Sequence, residues 1–304
     1  MTVVAVANSD IAAALTGEPG LDVIEVTPDS PVPPAAQSAE VLIPGFLAGG
    51  AAIGLMAGLP KLRLVQLMTA GAEVWVGRTP PGVTLCTASG AHGGSTSEWA
   101  VGALLAILHE FPLFVRRQRE GIWDRHRTDE LAGKRVLVLG AGDLGTQVKR
   151  RLEAFDASVT LAARSARDSV IGIDQVPEVL GEYAVVIVMV PLTDRTHGLV
   201  DAHFLAAMPD GAVLVNAARG QIVDTDALIA ELTSGRLRAA LDVTDPEPLP
   251  HGHPLWSAPG VFITPHIAGA VPGAQERALA VVRAQLHRFA AGEELRNVVR
   301  ANGY

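Results

Sequence analysis

Six residues, Gly140-Ala-Gly-Asp-Leu-Gly145, constrain this chain more than any others. They follow the apolar run 135–139, which has the composition of a buried strand, and they open a stretch with helical periodicity. Glycines at this G-x-G-x-x-G spacing meet three needs: a tight turn out of the strand, close approach of backbone to a pyrophosphate, and packing of helix on strand. The helix N-terminus adds N–H groups and the positive end of a dipole. The motif predicts a βαβ unit that binds a dinucleotide, with Gly140, Gly142, Asp143, Leu144 and Gly145 around the phosphates. The next strand, 158–162, bears on which dinucleotide is bound. NAD sites end that strand with a carboxylate for the ribose 2′-OH. Here Ala163 stands in that region, followed by Arg164-Ser165-Ala-Arg167. Guanidinium groups fork onto a 2′-phosphate that a carboxylate would repel. NADP is therefore the expected cofactor, with NAD as the alternative.

The 304 residues suggest two domains. Short strand candidates at 3–7, 23–26, 41–43, 64–67 and 83–86 alternate with helix-compatible stretches at 10–15 and 48–57; the Pro-rich segment 27–37 reads as a loop. A long helical pattern covers 95–119. A second series has strands at 135–139, 158–162, 185–190, 212–216, 239–243 and 261–264, and a last helix spans 273–291. Such alternation predicts parallel sheets covered by helices on both faces. The division is 1–94 plus 270–304 for a smaller substrate domain, and 95–269 for the dinucleotide domain. The longest apolar run, 184–190, is too short to span a bilayer, and the N-terminus reads as a strand without a leader. A single cysteine, Cys86, in an apolar run reads as a buried strand residue and suits a reducing, cytoplasmic setting. The net charge of −8 opposes nucleic-acid binding.

Three polar segments lie just past predicted strand ends in the second series: Asn216-Ala-Ala-Arg219-Gly220, Leu241-Asp242 through Glu247-Pro-Leu, and Thr264-Pro-His266. Ligands bind at that edge of open parallel sheets. An Arg there can fork onto a 2-keto acid's carboxylate and polarise the adjacent carbonyl, while a His protonates its oxygen. A carboxylate beside the His favours the imidazolium.

With these motifs in this order, from about Gln66 to Gly269, the chain resembles the D-isomer-specific 2-hydroxyacid dehydrogenases, which include glyoxylate/hydroxypyruvate reductases and phosphoglycerate dehydrogenases. Pro191-Leu-Thr-Asp-Arg-Thr196 and His253-Pro-Leu-Trp256 also carry the resemblance. It implies two doubly wound α/β domains, a Rossmann-type cofactor domain inserted into a smaller flavodoxin-like substrate domain. It further implies that Arg219 orients the substrate, His266 is the general acid/base and Glu247 its partner. Asp242 is matched to the position that holds the nicotinamide amide, and Pro191, Thr196, Ala217 and His266 to residues lining the cofactor. The substrate carboxylate is matched to backbone N–H groups of Ala70, Gly71 and Ala72. Trp75 is compatible with core or pocket. A homodimer through the cofactor domains is implied, with the apolar stretch 99–108, Phe111 and Phe114 as contributors unless they belong to the core. The chain ending at Tyr304 implies no added regulatory domain.

His251-Gly-His253 lacks accompanying ligands and reads as a loop rather than a metal site. His92, beside Gly93-Gly94, reads as a structural turn, and neither Gly-x-Ser-x-Gly nor a lysine in the expected crevice is present. The function expected is hydride transfer between a nicotinamide dinucleotide and a small 2-keto or 2-hydroxy acid. The alternative is a dinucleotide-sensing regulatory protein on the same fold.

Overall fold

A computed structural model of the protein describes residues 1–28, 30–46 and 49–300 and divides the chain into two units. The first is Met1–His92 with the segment from Pro272 onward; the second is Gly93–Val271. The first carries a five-stranded sheet of β1 (Thr2–Ala7), β2 (Leu21–Glu25), β3 (Val41–Pro44), β4 (Leu64–Gln66) and β5 (Thr84–Cys86). The order is β2-β1-β3-β4-β5 and all pairings are parallel. Consecutive side chains on a strand point to opposite faces. Val4, Val6, Val41, Ile43 and Leu64 therefore pack with Ile11 and Leu15 of α1 (Ser9–Leu15) and with Leu279, Val282 and Leu286 of the C-terminal helix Ala274–Ala291. Ala5, Leu42, Val65 and Leu85 face the other way, onto Leu55, Met56 and Leu59. The predicted helix 48–57 is α2 (Gly49–Ile53) followed by a tighter 3-10 turn, Gly54–Gly58; its first residue, Ala48, lies outside the described residues. Along the outer edge of β5 the Val299 N–H donates to Leu85 O (2.8 Å) and the Thr87 N–H to Asn297 O (3.1 Å), so residues near the C-terminus cover that edge.

The second unit has seven parallel strands: β6 (Arg135–Leu139), β7 (Ser158–Ala163), β8 (Val170–Gly172), β9 (Val185–Val188), β10 (Val213–Asn216), β11 (Arg238–Leu241) and β12 (Val261–Ile263). Their order is β12-β11-β10-β9-β6-β7-β8, which reverses direction between β6 and β9. Leu137, Leu139, Val186, Val188 and Leu214 fill one core layer; Val136, Val138, Val185, Ile187, Val213 and Val215 fill the other. Burial on both faces explains why these strands read as unbroken apolar runs. The helices are α3 (Gly93–Leu108), α4 (Phe111–Glu120), α5 (Asp143–Glu153), α6 (Val176–Val179), α7 (Ala202–Ala207) and α8 (Thr225–Thr233).

Besides the 3-10 turns at Gly54–Gly58 and at Pro34–Ser38, the latter beginning inside the segment expected to be a loop, two features depart from the sequence expectation. Strand β8 was not anticipated. The single helix expected over 95–119 is broken into α3 and α4, bent by 58°. Glu110 at the break takes φ +55°, and Pro112 suits the first turn of a new helix better than the interior of a continuing one. Ala100, Val101, Leu104, Ile107 and Leu108 on α3 are buried in the sheet's core, so most of the 99–108 stretch is core. By contrast, α4 has no buried residue. No single helix among the described residues is long and apolar enough to cross a membrane.

Candidate active site

The change of direction between β6 and β9 opens the carboxyl edge of the second sheet, where an open α/β sheet takes ligands. The glycine loop leaves β6 at that point. Gly140 has φ +122°, and an added Cβ would lie 2.6 Å from Met189 O; at Gly145 a Cβ would collide with the Gly140 carbonyl oxygen. Both glycines are fixed by turn and packing. Gly142 differs, because a Cβ there would meet nothing within 4 Å. It borders open space at the N-terminus of α5, whose first backbone hydrogen bond runs from Thr146 N–H to Gly142 O. The N–H groups before Thr146 have no carbonyl of a preceding helical turn to bond. A small cradle bordered by such donors fits a pyrophosphate. The Asp143 side chain is turned from it: Oδ1 accepts from Gln147 Nε2 (3.0 Å), and Oδ2 is packed against Gly93. Leu144 packs on the core.

Beyond β7, Arg164 and Ser165 are exposed, and Arg167 reaches back so that its guanidinium donates to Ala141 O in the glycine loop (3.1 Å). After β9, Thr196 Oγ1 donates to Pro191 O (2.6 Å) and accepts from the Thr193 N–H (2.8 Å), which fixes the loop facing the glycine turn across the switch point. Ala217 is 9 % exposed, with its methyl in the core.

The next three strand ends are stitched into one frame. Asn216, at the end of β10, donates from Nδ2 to Arg219 O (2.8 Å) and accepts at Oδ1 from the Ala218 N–H (3.0 Å), closing the turn that presents half-buried Arg219. Gly220 packs so tightly on Thr244 that a Cβ would collide with its carbonyl. Thr225 Oγ1 adds a bond to Asp245 O (2.8 Å). The Arg219 turn and the 244–247 loop are thereby neighbours. From β11 the Asp242 N–H donates to Asn216 O (2.9 Å). Asp242 is 2 % exposed: its Oδ1 accepts from Thr264 Oγ1 (2.5 Å) and the Ile267 N–H (2.9 Å), and its Oδ2 from the Ala268 N–H (2.9 Å). His266 N–H donates to Asp242 O (2.7 Å), and His266 itself takes φ +55°. At the end of this turn the His266 Nδ1–H donates to Glu247 Oε1 at 2.6 Å. Both side chains remain open to solvent (48 % and 39 % exposed), and Nε2 is the ring nitrogen that Glu247 does not engage.

The sequence reading named Arg219, Glu247, His266 and Asp242, and all four stand on this frame. The sequence placed Asn216, Gly220 and Thr264 in the same polar segments without the bracing role they take here. Each lies beside a named residue, which was the available signal. In the first unit, Thr69 O accepts from the Ala88 N–H (2.8 Å), and Thr69 Oγ1 donates to Gly71 O (2.8 Å), shaping the turn that contains Ala70, Gly71 and buried Ala72. Trp75 is 5 % exposed and belongs to the core. His92 Nε2 lies 3.1 Å from Met68 O.

Residues 101–268, more than half of the chain, match the model for the NAD binding domain of D-isomer specific 2-hydroxyacid dehydrogenases. The chain belongs to that family. As a D-2-hydroxyacid dehydrogenase it is an oxidoreductase of two parallel-sheet domains. It resembles the family member of Xanthobacter autotrophicus Py2 solved with NADPH and MES, with TM-score 0.86 and 30 % identity over 99 % of this chain and 98 % of that one. The NADPH-dependent glyoxylate/hydroxypyruvate reductase of Sinorhizobium meliloti gives TM-score 0.85 at 27 % identity, with complete coverage of both chains. In sequence, D-3-phosphoglycerate dehydrogenase of Mycobacterium tuberculosis is 34 % identical over 259 residues, 82 % of this chain. The chain spans about half of that dehydrogenase, 49 % of its length.

Proposed function

We propose that this dehydrogenase reduces a small 2-keto acid, of the size of glyoxylate or hydroxypyruvate, to the D-2-hydroxy acid, with NADPH preferred over NADH. The observation that carries the reading is the 2.6 Å bond between His266 Nδ1 and Glu247, on a frame that also presents Arg219. The glycine loop, α5, Pro191 and Thr196 would hold the dinucleotide, which supplies the hydride when bound. Arg219 forks onto the substrate carboxylate and draws electron density from the adjacent carbonyl. Glu247 fixes the imidazole with Nδ1 protonated, so Nε2 is the atom that hands a proton to the carbonyl oxygen as carbon accepts the hydride. Oxidation of the hydroxy acid runs the same proton back to Nε2. The turn at Ala70, Gly71 and Ala72 is kept as a proposed anion-holding nest of the first unit.

The preference for NADPH is supported by the uncharged end of β7 and by Arg167 lying against the glycine loop. We also propose a homodimer in which α4 takes part, since Phe111 (53 % exposed) and Val115 on that helix and Trp123 (94 %) just after it leave apolar surface exposed. A panel of 2-keto acids assayed with NADPH and NADH tests the function. We expect turnover of at least one short 2-keto acid, faster with NADPH, and a fall in that advantage of about 10–100-fold in Arg167→Ser, the worth of a bond between charged groups. A folded, dinucleotide-binding protein inert toward the whole panel would overturn the enzymatic reading. Higher kcat/KM with NADH would overturn the cofactor preference.

A further inference from the structure

The segment after α4 folds back on that helix, and a histidine sits where the two meet. His126 Nε2 lies 3.1 Å from Glu110 Oε2, and Nδ1 lies 3.3 Å from Asp124 Oδ1. Its ring stacks on Phe114, with centroids 5.1 Å apart and planes 20° from parallel. An ionised carboxylate only accepts hydrogen bonds, and neutral imidazole has one N–H. Both contacts are made at once only when both ring nitrogens carry protons. Losing either proton turns a donor into a lone pair facing a carboxylate. The other charges of this corner leave that requirement in place. Arg117 of α4 pairs with Asp124 (3.6 Å) and Glu120 (3.1 Å), and His109 is occupied in stacking on Phe111. Arg125 and Arg127 flank the histidine along its own segment. Hydrogen bonds to Glu110 and then to Asp124 hold the His126 imidazolium above the ordinary histidine range despite partial desolvation.

We propose that His126 is a proton-operated clasp, which pins the 121–126 segment, with its exposed Trp123, to the α3–α4 corner when charged and releases it when neutral. Nothing in the proposed hydride transfer uses this residue. No residue of this ten-residue helix is buried, so the His126–Glu110 contact adds to the Arg117–Asp124 pair in holding the segment to it.

The test uses the full chain with 15N in the histidine rings, followed from about pH 5 to about pH 9 across the range where histidines titrate. Both ring nitrogens of His126 should be protonated at neutral pH, and in the Glu110→Gln/Asp124→Asn double variant the transition should move to lower pH. Amide exchange at one fixed, near-neutral pH gives the second readout. The Ile122 N–H, bonded to Arg117 O (2.9 Å), should exchange on the order of tenfold faster in His126→Gln than in the parent, while amides of β6 and β9 stay unchanged. A singly protonated His126 ring at neutral pH, or Ile122 exchange that ignores His126→Gln, would overturn the clasp.

Discussion

His266 holds a left-handed backbone, φ +55°, which costs a side-chain-bearing residue roughly 1–2 kcal/mol. The buried carboxylate of Asp242 offsets that cost by accepting the hydroxyl of Thr264 and the N–H groups of Ile267 and Ala268 on either side. This sets how the imidazole should be removed in an experiment. Alanine would disturb the turn as well as the chemistry, whereas asparagine tolerates positive φ. His266→Asn should therefore keep its Tm and dinucleotide affinity and lose about 10²–10⁴-fold in kcat, the usual worth of a general acid. Retention of near-parental kcat would remove His266 from proton transfer. That Arg219, Glu247 and His266 lie past strand ends was legible in the sequence, and the roles proposed for them came from the family resemblance. The work of Asp242 was not legible, because its three donors come 22, 25 and 26 residues later. Only the parallel register of β11 on β12 brings them to it.

Among the elements, the turn after β10 shows how backbone contact sets catalytic geometry. Gly220 touches Thr244 where no Cβ fits. Gly220→Ala must push the Arg219 turn away from the Glu247 loop. A shift of about 1 Å is enough to lower kcat/KM by about 10²-fold. The seven-stranded sheet should survive, as judged by circular dichroism and a cooperative melt; full activity would show that the loops move independently. The long strands of this unit were readable as apolar runs because helices cover both sheet faces. Strand β8 was not, for it has three residues and ends in Gly172. Periodicity gives no signal over so short a span. The break between α3 and α4 was written in Pro112, but apolar residues on both sides of it kept the helical pattern running.

At the scale of the whole molecule, titration of the one thiol couples pH to stability in the first unit. Cys86 is fully buried among Val6, Leu64 and Leu286, and burial raises its pKa from 9.0 to about 11, with a Gln285 hydrogen bond acting the other way. A raised value means that the folded state keeps the proton. The contribution is complete below pH 9.0 and is lost as pH climbs toward 11. Denaturant unfolding under reducing conditions at about pH 10.5 should show a loss of about 2 kcal/mol that Cys86→Ala lacks. An equal loss in both proteins would place the alkaline sensitivity elsewhere. The same unit is assembled from two stretches of chain, Met1–His92 and the portion beginning at Pro272, whereas Gly93–Val271 is continuous. During synthesis, then, the ribosome delivers everything the nucleotide-binding half requires while the opening strands still wait for the helix that will cover them. The part translated first is the part completed last.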